Sequence, residues 1–343
     1  MSMLATSISM PSASRGRGVA SLIGLGLFAL AISLLRYAID RSPEGVISLA
    51  WPDPAWADFR QNAILSGLIV GGGLGLAGAL LQSLLRNPLA SPYLLGVSSG
   101  AGLGVMAAMA IGASAGMVSA ARVDWSMPAM LGAVGALSLV LALGRRNGWP
   151  DPVTVLLAGV VVATICAGGM MLLQHLVPMD VRGRFLTWMM GTLPEITSGM
   201  QLLLSGVVVL AGLIAALLMA RWLDISLLGD DEARTLGVPV EAMRLALLIV
   251  AGMMTAVTVA LAGPIGFIGL IAPHVARRLA GHHHVVFLIG SLLVGVILVI
   301  GADSIRQVID LGTGRLPIGV LTILVGGPMF LWLLRREVHS REG

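Results

Sequence analysis

All 21 basic residues of this 343-residue chain are arginine, and lysine is absent. A Walker-type phosphate loop needs a lysine to reach the nucleotide phosphates. Schiff-base chemistry and the common kinase site need one as well. The chain therefore carries no such nucleotide site, and if ATP drives its function, another subunit binds the ATP. HExxH does not occur, the two GxSxG strings (96–100 and 112–116) lie inside one apolar run rather than at a strand-to-helix turn, and the single cysteine, Cys166, has no histidine near it in sequence. An intramembrane enzyme is disfavoured on that ground, and an intrachain disulfide is impossible. His282, His283 and His284 form a tract of metal-binding type, but their place at the end of an apolar run favours a basic, solvated loop. His274 follows Pro273 inside an apolar run and reads as a hydrogen-bonded structural residue rather than a ligand. The pairs Met170-Met171, Met189-Met190 and Met253-Met254 have soft sulfur, yet methionine more often fills gaps in apolar packing. We expect no metal site and no cofactor bound by this chain.

The elements that carry these residues are set by composition. Apolar residues make up 57% and charged residues 11% of the chain, with a formal net charge of only +4. Soluble domains run near ~45–50% and ~25%. The charges cluster between long apolar stretches, as in a polytopic membrane protein. Soluble enzymes and nucleic-acid modules are excluded. A bilayer core takes ~20 apolar residues as a helix. Ten segments qualify: 19–37, 63–85, 93–118, 127–144, 153–175, 200–220, 245–262, 264–280, 285–305 and 316–334. Barrel strands do not account for them, because the runs lack the required alternation. The expected fold is all-α, with about ten transmembrane helices packed through small residues such as Gly71, Gly72, Gly73, Gly75 and Gly78. Arginine placement sets the orientation. With the N-terminus inside, 13 arginines, from Arg15 and Arg17 to Arg335, Arg336 and Arg341, face the cytoplasm and eight face outward. Both termini are then cytoplasmic. Residues 1–18 read as a disordered cytoplasmic tail, and 19–343 as one transmembrane domain. No small-x-small cleavage site follows Leu35, so the first span is taken as retained.

Three stretches are more specific than hydropathy. The first runs from Gly78 through Arg86-Asn87-Pro88 and Ser98-Ser99-Gly100 to Gly104. The second is Leu228-Gly-Asp-Asp-Glu-Ala-Arg-Thr-Leu-Gly-Val238. The third is Ala262-Gly-Pro-Ile-Gly-Phe-Ile-Gly-Leu-Ile-Ala-Pro-His-Val-Ala-Arg277, followed by Arg315-Leu-Pro-Ile-Gly-Val320 and Gly327-Pro328. Together, from about residue 60 to 336, these stretches resemble the permease subunits of binding-protein-dependent ABC importers for iron–siderophores, haem and cobalamin. The resemblance implies ten spans per chain and a second permease copy, identical or different, around one pore. It also implies two ATPase subunits carrying ATP and Mg inside, a periplasmic substrate-binding protein outside, and a multi-pass location in the bacterial inner membrane among its lipids. An iron–siderophore is the first expected cargo, with haem and cobalamin as alternatives, and no nucleic acid is involved.

The residues make sense beside that likeness. In 221–244, Asp230, Asp231 and Glu232 supply first-turn acids, Arg234 follows, and Gly237 stops a short helix. Val238, Pro239 and Val240 can start a second helix. Leu236 and Val238 are expected to be exposed for docking in a partner's groove, and the resemblance identifies this segment as the ATPase-coupling loop. Asp151, Pro152, Val153 and Thr154 sit at the mouth of the fifth span, where the resemblance places a gate. Ser98 and Ser99 give the third span a weakly polar face, which serves either close packing or a pore wall. Arg60 and Arg306 lie where the family docks its binding protein, although Asp303 and Arg306, three apart, can instead pair with each other. The alternative function is an ion-gradient-driven secondary transporter. Ion coupling usually needs carboxylates deep in the membrane, and Asp303, the one acid in a predicted span, lies near an end.

Overall fold

A computed structural model describes residues 12–41, 47–115, 124–146, 148–281, 283–309 and 315–342, with side chains undescribed at 12–15, 41 and 332–342. The chain is all-α and polytopic. Helix α1 (Ser12–Ala38) leads through a short hairpin, β1 (Ile39–Arg41) and β2 (Ile47–Leu49), to α2 (Pro54–Leu85). A 3-10 turn (Pro92–Leu95), α3 (Val97–Ser114) and α4 (Ser126–Leu143) follow. A second hairpin, β3 (Arg145–Arg146) and β4 (Trp149–Pro150), precedes α5 (Pro152–Leu176) and α6 (Met179–Met189). Then come α7 (Gly199–Ser226), α8 (Asp230–Thr235), α9 (Val240–Ala262), α10 (Ile268–Ala280), α11 (His284–Val308) and α12 (Ile318–Glu342).

Local chemistry sets the helix starts. Asp53 and Asp151 each cap a helix whose first residue is proline: Asp53 accepts from the Ala55 N–H at 2.9 Å, and Asp151 from the Thr154 N–H at 2.9 Å. A capping carboxylate satisfies an orphan donor, and proline at the first helical position lacks the N–H that would be orphaned anyway. Ser198 caps α7 in the same way through the Gln201 N–H.

Eight of these helices are long and apolar enough to cross a bilayer, among the described residues. The last two of the ten expected segments to be placed are α10 and α12. Helix α12 contributes a shorter apolar stretch, Ile318–Leu331. Helix α10 begins at Ile268 rather than 264, because Gly263-Pro264-Ile265-Gly266 is not helical and Phe267 sits at φ 66°. Its 13 residues rise about 20 Å, short of the ~30 Å hydrocarbon core. The non-helical strip is instead tied to protein: the Tyr93 hydroxyl donates to the Ile265 carbonyl at 2.7 Å and accepts from the Ile265 N–H at 2.9 Å. Irregular backbone at membrane depth is tolerated only with such partners. Helix α1 reaches back to Ser12, into the segment expected to be a tail; residues 1–11 lie outside the described residues.

Helix α2 is the centre of the bundle, packed against α9, α10 and α11, with Leu74, Leu76, Leu80 and Leu81 fully buried. Its glycines permit this. A Cβ at Gly75 would fall 2.3 Å from the Ser291 carbonyl oxygen of α11, and one at Gly78 would fall 1.8 Å from that of Gly269 in α10. Gly100, Gly104 and Gly132 do the same between α3 and α4, so close helix packing accounts for Gly100 and Gly104 of the third span.

Candidate functional site

Two faces of the bundle collect its polar side chains. On the α8 face, a single aspartate ties three elements together. Asp230 Oδ1 accepts from Arg86 at 2.7 Å and Oδ2 accepts from Arg244 at 2.6 Å, so α8 is clamped to the ends of α2 and α9. Arg86 also donates to the Ser226 carbonyl at 2.7 Å, which brings in the end of α7. Partial burial alone would raise the Asp230 pKa, but Arg244 and Arg86 overcome it and hold the carboxyl below its ordinary value. Arg234 pairs with Asp231 at 2.7 Å and with Glu241 at 2.6 Å. Arg234 is thus paired within the chain. Gly237, at φ +84°, turns the chain where an L-residue would be strained.

Two expectations for this loop are corrected. Val238 is buried at 4% exposure, because its N–H bonds back to the Ala233 carbonyl and the turn folds the side chain inward. No second short helix forms: Val240 is the first residue of the membrane-spanning α9, five residues before the expected span at 245–262. Leu236 is exposed as expected, at 61%, and Leu227 and Leu228 at the end of α7 are exposed as well. Sequence reasoning passed over that leucine pair, although two adjacent leucines next to Gly229 and a run of acids are a legible sign of an apolar surface at a polar helix end.

The same face holds the mouth of α5. Asp151 also accepts from the Thr154 hydroxyl at 2.7 Å. That bond and the Thr154 N–H hold its carboxyl below the ordinary range. Val153 is exposed and begins an open apolar stripe through Leu157, Val161 and Ile165. Gly159 lies against the Leu94 carbonyl of the 3-10 turn, bringing the start of α3, with half-buried Ser98 and Ser99, towards α5. His284 is buried at the start of α11 and its Nδ1 lies 2.6 Å from Asp224 Oδ1, so this histidine joins α11 to α7 rather than sitting in a solvated loop. His283 is exposed, and His282 lies outside the described residues.

On the opposite face, the two arginines expected to dock a partner are engaged within the chain. Arg60 pairs with Asp40 and donates to the Tyr37 carbonyl at 2.9 Å. Arg306 is buried and pairs with Asp303 at 2.5 Å, the intrachain alternative noted from their spacing. Asp303 is also bonded by Arg36 of α1. Glu195 completes the cluster with Arg315 at 2.5 Å, and Arg36 and Arg306 at 3.7 and 3.9 Å. Burial of Arg306 goes with this arrangement: Asp303, one turn back in α11, and Glu195, from a distant segment, both lie near its guanidinium. Arg315, about half exposed, is the accessible cation of the group. Among the described residues, no three or more His, Cys, Asp or Glu side chains gather in a way that could hold a metal ion.

Comparison with known proteins agrees with this architecture. The model of the FecCD transport family matches residues 24–336. The chain is 34% identical over 325 residues to the hemin transport system permease protein HmuU of Yersinia pestis, covering 92% of this chain and 96% of that one. It is 35% identical over 329 residues to the vitamin B12 import system permease protein BtuC of Salmonella arizonae, covering 94% and 96%. An inward-facing solved structure, described as being of the metal-chelate ABC transporter type, superposes with a TM-score of 0.80 at 28% identity, covering 93% of this chain and 99% of that one. With the motifs, the helix order and the near full-length match in agreement, this multi-pass chain, a transport permease and not an enzyme, belongs to the FecCD transport family.

Proposed function

We propose that this chain is the transmembrane subunit of an ATP-driven, binding-protein-dependent importer of a metal chelate in the bacterial inner membrane, with both termini cytoplasmic. The observation that carries the reading is the family match over residues 24–336 in a chain without lysine. Concentrative import requires energy, and as this chain lacks the lysine of a nucleotide-cradling loop, ATP would act in this reading through a partner surface. The exposed leucines around the clamped α8 supply such a surface for an ATPase subunit. The open apolar stripe of α5 supplies one for a second permease copy, with Asp151, Pro152, Val153 and Thr154 at the gate and Ser98 and Ser99 beside the path. Relatives named for hemin and vitamin B12 move the preferred cargo from a ferric siderophore to a metal-bearing tetrapyrrole.

Docking of a periplasmic binding protein belongs to the face opposite α8. Arg315 is the favoured first contact there, while Arg60 and Arg306 would engage only after their intrachain acids give way.

The secondary-transporter alternative loses ground, because Asp303, the buried carboxylate near the end of α11, is already neutralised by Arg36 and Arg306. Reconstitution decides between the two. The chain is placed in proteoliposomes with its ATPase and binding protein, and uptake of haem, cobalamin and a ferric siderophore is measured. We expect uptake only with ATP and the binding protein. Uptake by this chain alone on a proton or sodium gradient would overturn the proposal.

A further inference from the structure

We propose that the groove between α2 and α7 binds one phospholipid of the zwitterionic, primary-amine class, with an ethanolamine headgroup. The groove encloses about 760 Å³. It runs along α2 from Asp58 to Ile69 and along α7 from Gly199 to Leu210. Eleven residue steps of helix are about 16 Å, which matches one leaflet of a ~30 Å hydrocarbon core. The groove also changes character along that length. Its start holds Asp58, Gln61 and Asn62, and its shaft is apolar down to Leu203 and Leu210. Gly206 keeps the shaft open, since a Cβ there would have only Ile69 near it, at 3.7 Å.

The depth of the polar end is marked independently. Trp51 and Trp56, at 75% and 61% exposure, flank the start of α2. Exposed tryptophans gather at the headgroup level of a bilayer. An amphiphile with its head at the depth of Trp56 and one chain in the shaft therefore fits the groove in register.

Charge selects the headgroup. Among the described residues no arginine lines the groove, and Asp58 is its one acidic side chain. An anionic head is repelled there, whereas an ammonium with N–H donors can bond the carboxylate directly. The Gln61 amide, which carries no hydrogen bond among the described residues, is placed to donate to the phosphate. A choline head has the positive charge but no N–H, so it forfeits the bond to Asp58.

The test uses the full chain, purified in mild detergent and equilibrated with equal amounts of phosphatidylethanolamine, phosphatidylcholine and phosphatidylglycerol, with retained lipid counted by native mass spectrometry. We expect one retained lipid per chain, enriched about tenfold for the ethanolamine form, the low-end worth of one charge-assisted hydrogen bond. Gly206→Leu, which fills the shaft, should remove the retained lipid. Asp58→Asn, a surface change that leaves folding intact, should keep a lipid but lose the preference for ethanolamine over choline. Equal retention of the three lipids, enrichment of the glycerol form, or unchanged retention in Gly206→Leu would overturn the proposal. So would a disulfide crosslink between two copies carrying cysteine at Leu203, because the groove would then be covered by protein.

Discussion

At the scale of single residues, the structure turns on two aspartates that each hold two arginines. Asp303 is buried between Arg36 and Arg306. Removing one member of a buried ion pair typically costs ~3–5 kcal/mol, because the remaining charges lose their compensation. Asp303→Ala should therefore lower the unfolding midpoint of the detergent-solubilised protein sharply. Arg315→Ala, at a half-exposed site, should leave it within about 1 kcal/mol. Equal stability of the two variants would show that the buried cluster contributes nothing to the fold. Asp230 makes a different prediction, concerning pH. Its carboxyl is held below the ordinary aspartate range by Arg244 and Arg86 against the opposing effect of burial. A group with a depressed folded pKa contributes stability above its unfolded pKa, near ~4, and loses it as pH falls through the folded value. Attachment of α8 should thus be complete at pH 7 and weaken only below about pH 4. Asp230→Asn should show that weakening at neutral pH, read as faster proteolysis or amide exchange across 228–238. An exchange rate in Asp230→Asn equal to that of the parent at pH 7 would refute the clamp.

At the scale of elements, α8 separates two neighbouring apolar residues by function. Leu236 is exposed and Val238 is buried. If an ATPase groove receives Leu236, burying a leucine side chain is worth ~1.5–3 kcal/mol, so Leu236→Asp should weaken assembly by a factor of about ten or more. The variant should retain its own stability. Val238→Asp should do the reverse, destabilising the chain because a charge enters a packed turn. Co-purification of the ATPase and thermal unfolding, measured on both variants, should give opposite patterns. Normal co-purification in Leu236→Asp would place coupling on another surface. This pair also marks how far sequence reading went. First-turn acids and a stop glycine made α8 legible, since both act within one helical turn. The inward turn of Val238 was not, because it depends on a backbone bond to Ala233 and on α9 starting at Val240. Helix α6 was missed for a related reason: Asp180, Arg182 and Arg184 break its apolar run, and only Val181 and Phe185, one turn apart, are buried. Arg306 was read both as a docking residue and as a partner of Asp303. Spacing along the helix revealed the second possibility, but Arg36 and Glu195, far away in the chain, had to be placed before its burial could be known.

At the scale of the whole molecule, α2 is the axle around which the other helices are set, and its glycines make that position possible. Successive residues of an α-helix turn by about 100°, so Gly71, Gly75 and Gly78 fall within about 60° of one another, while Gly73 faces nearly the opposite way. The first two meet the backbone of α11 at Gly295 and Ser291, and Gly78 meets α10 at Gly269. Gly73 meets Thr258 of α9 and Val209 of α7. In lipid no hydrophobic force drives helices together, so association depends on close backbone approach through such residues. Even one methyl group at Gly78 must push α10 away from α2, since the obstruction is backbone and no side chain can rotate aside. Overpacking of this kind costs ~1–3 kcal/mol or more, and the displacement would also disturb Gln82, which donates to the Leu270 carbonyl at 3.3 Å. Gly78→Ala should therefore lower the unfolding midpoint, and Gly78→Val should abolish recovery of monodisperse protein. Among the described residues, nothing lies within 4 Å of a Cβ built at Gly135 or Gly168. Alanine there should be neutral or stabilising by up to ~1 kcal/mol, the helix-propensity difference. A ranking in which Gly78→Ala proves as stable as Gly135→Ala would mean that α2 is not held by backbone contact, and that the bundle owes its cohesion to the large side chains alone.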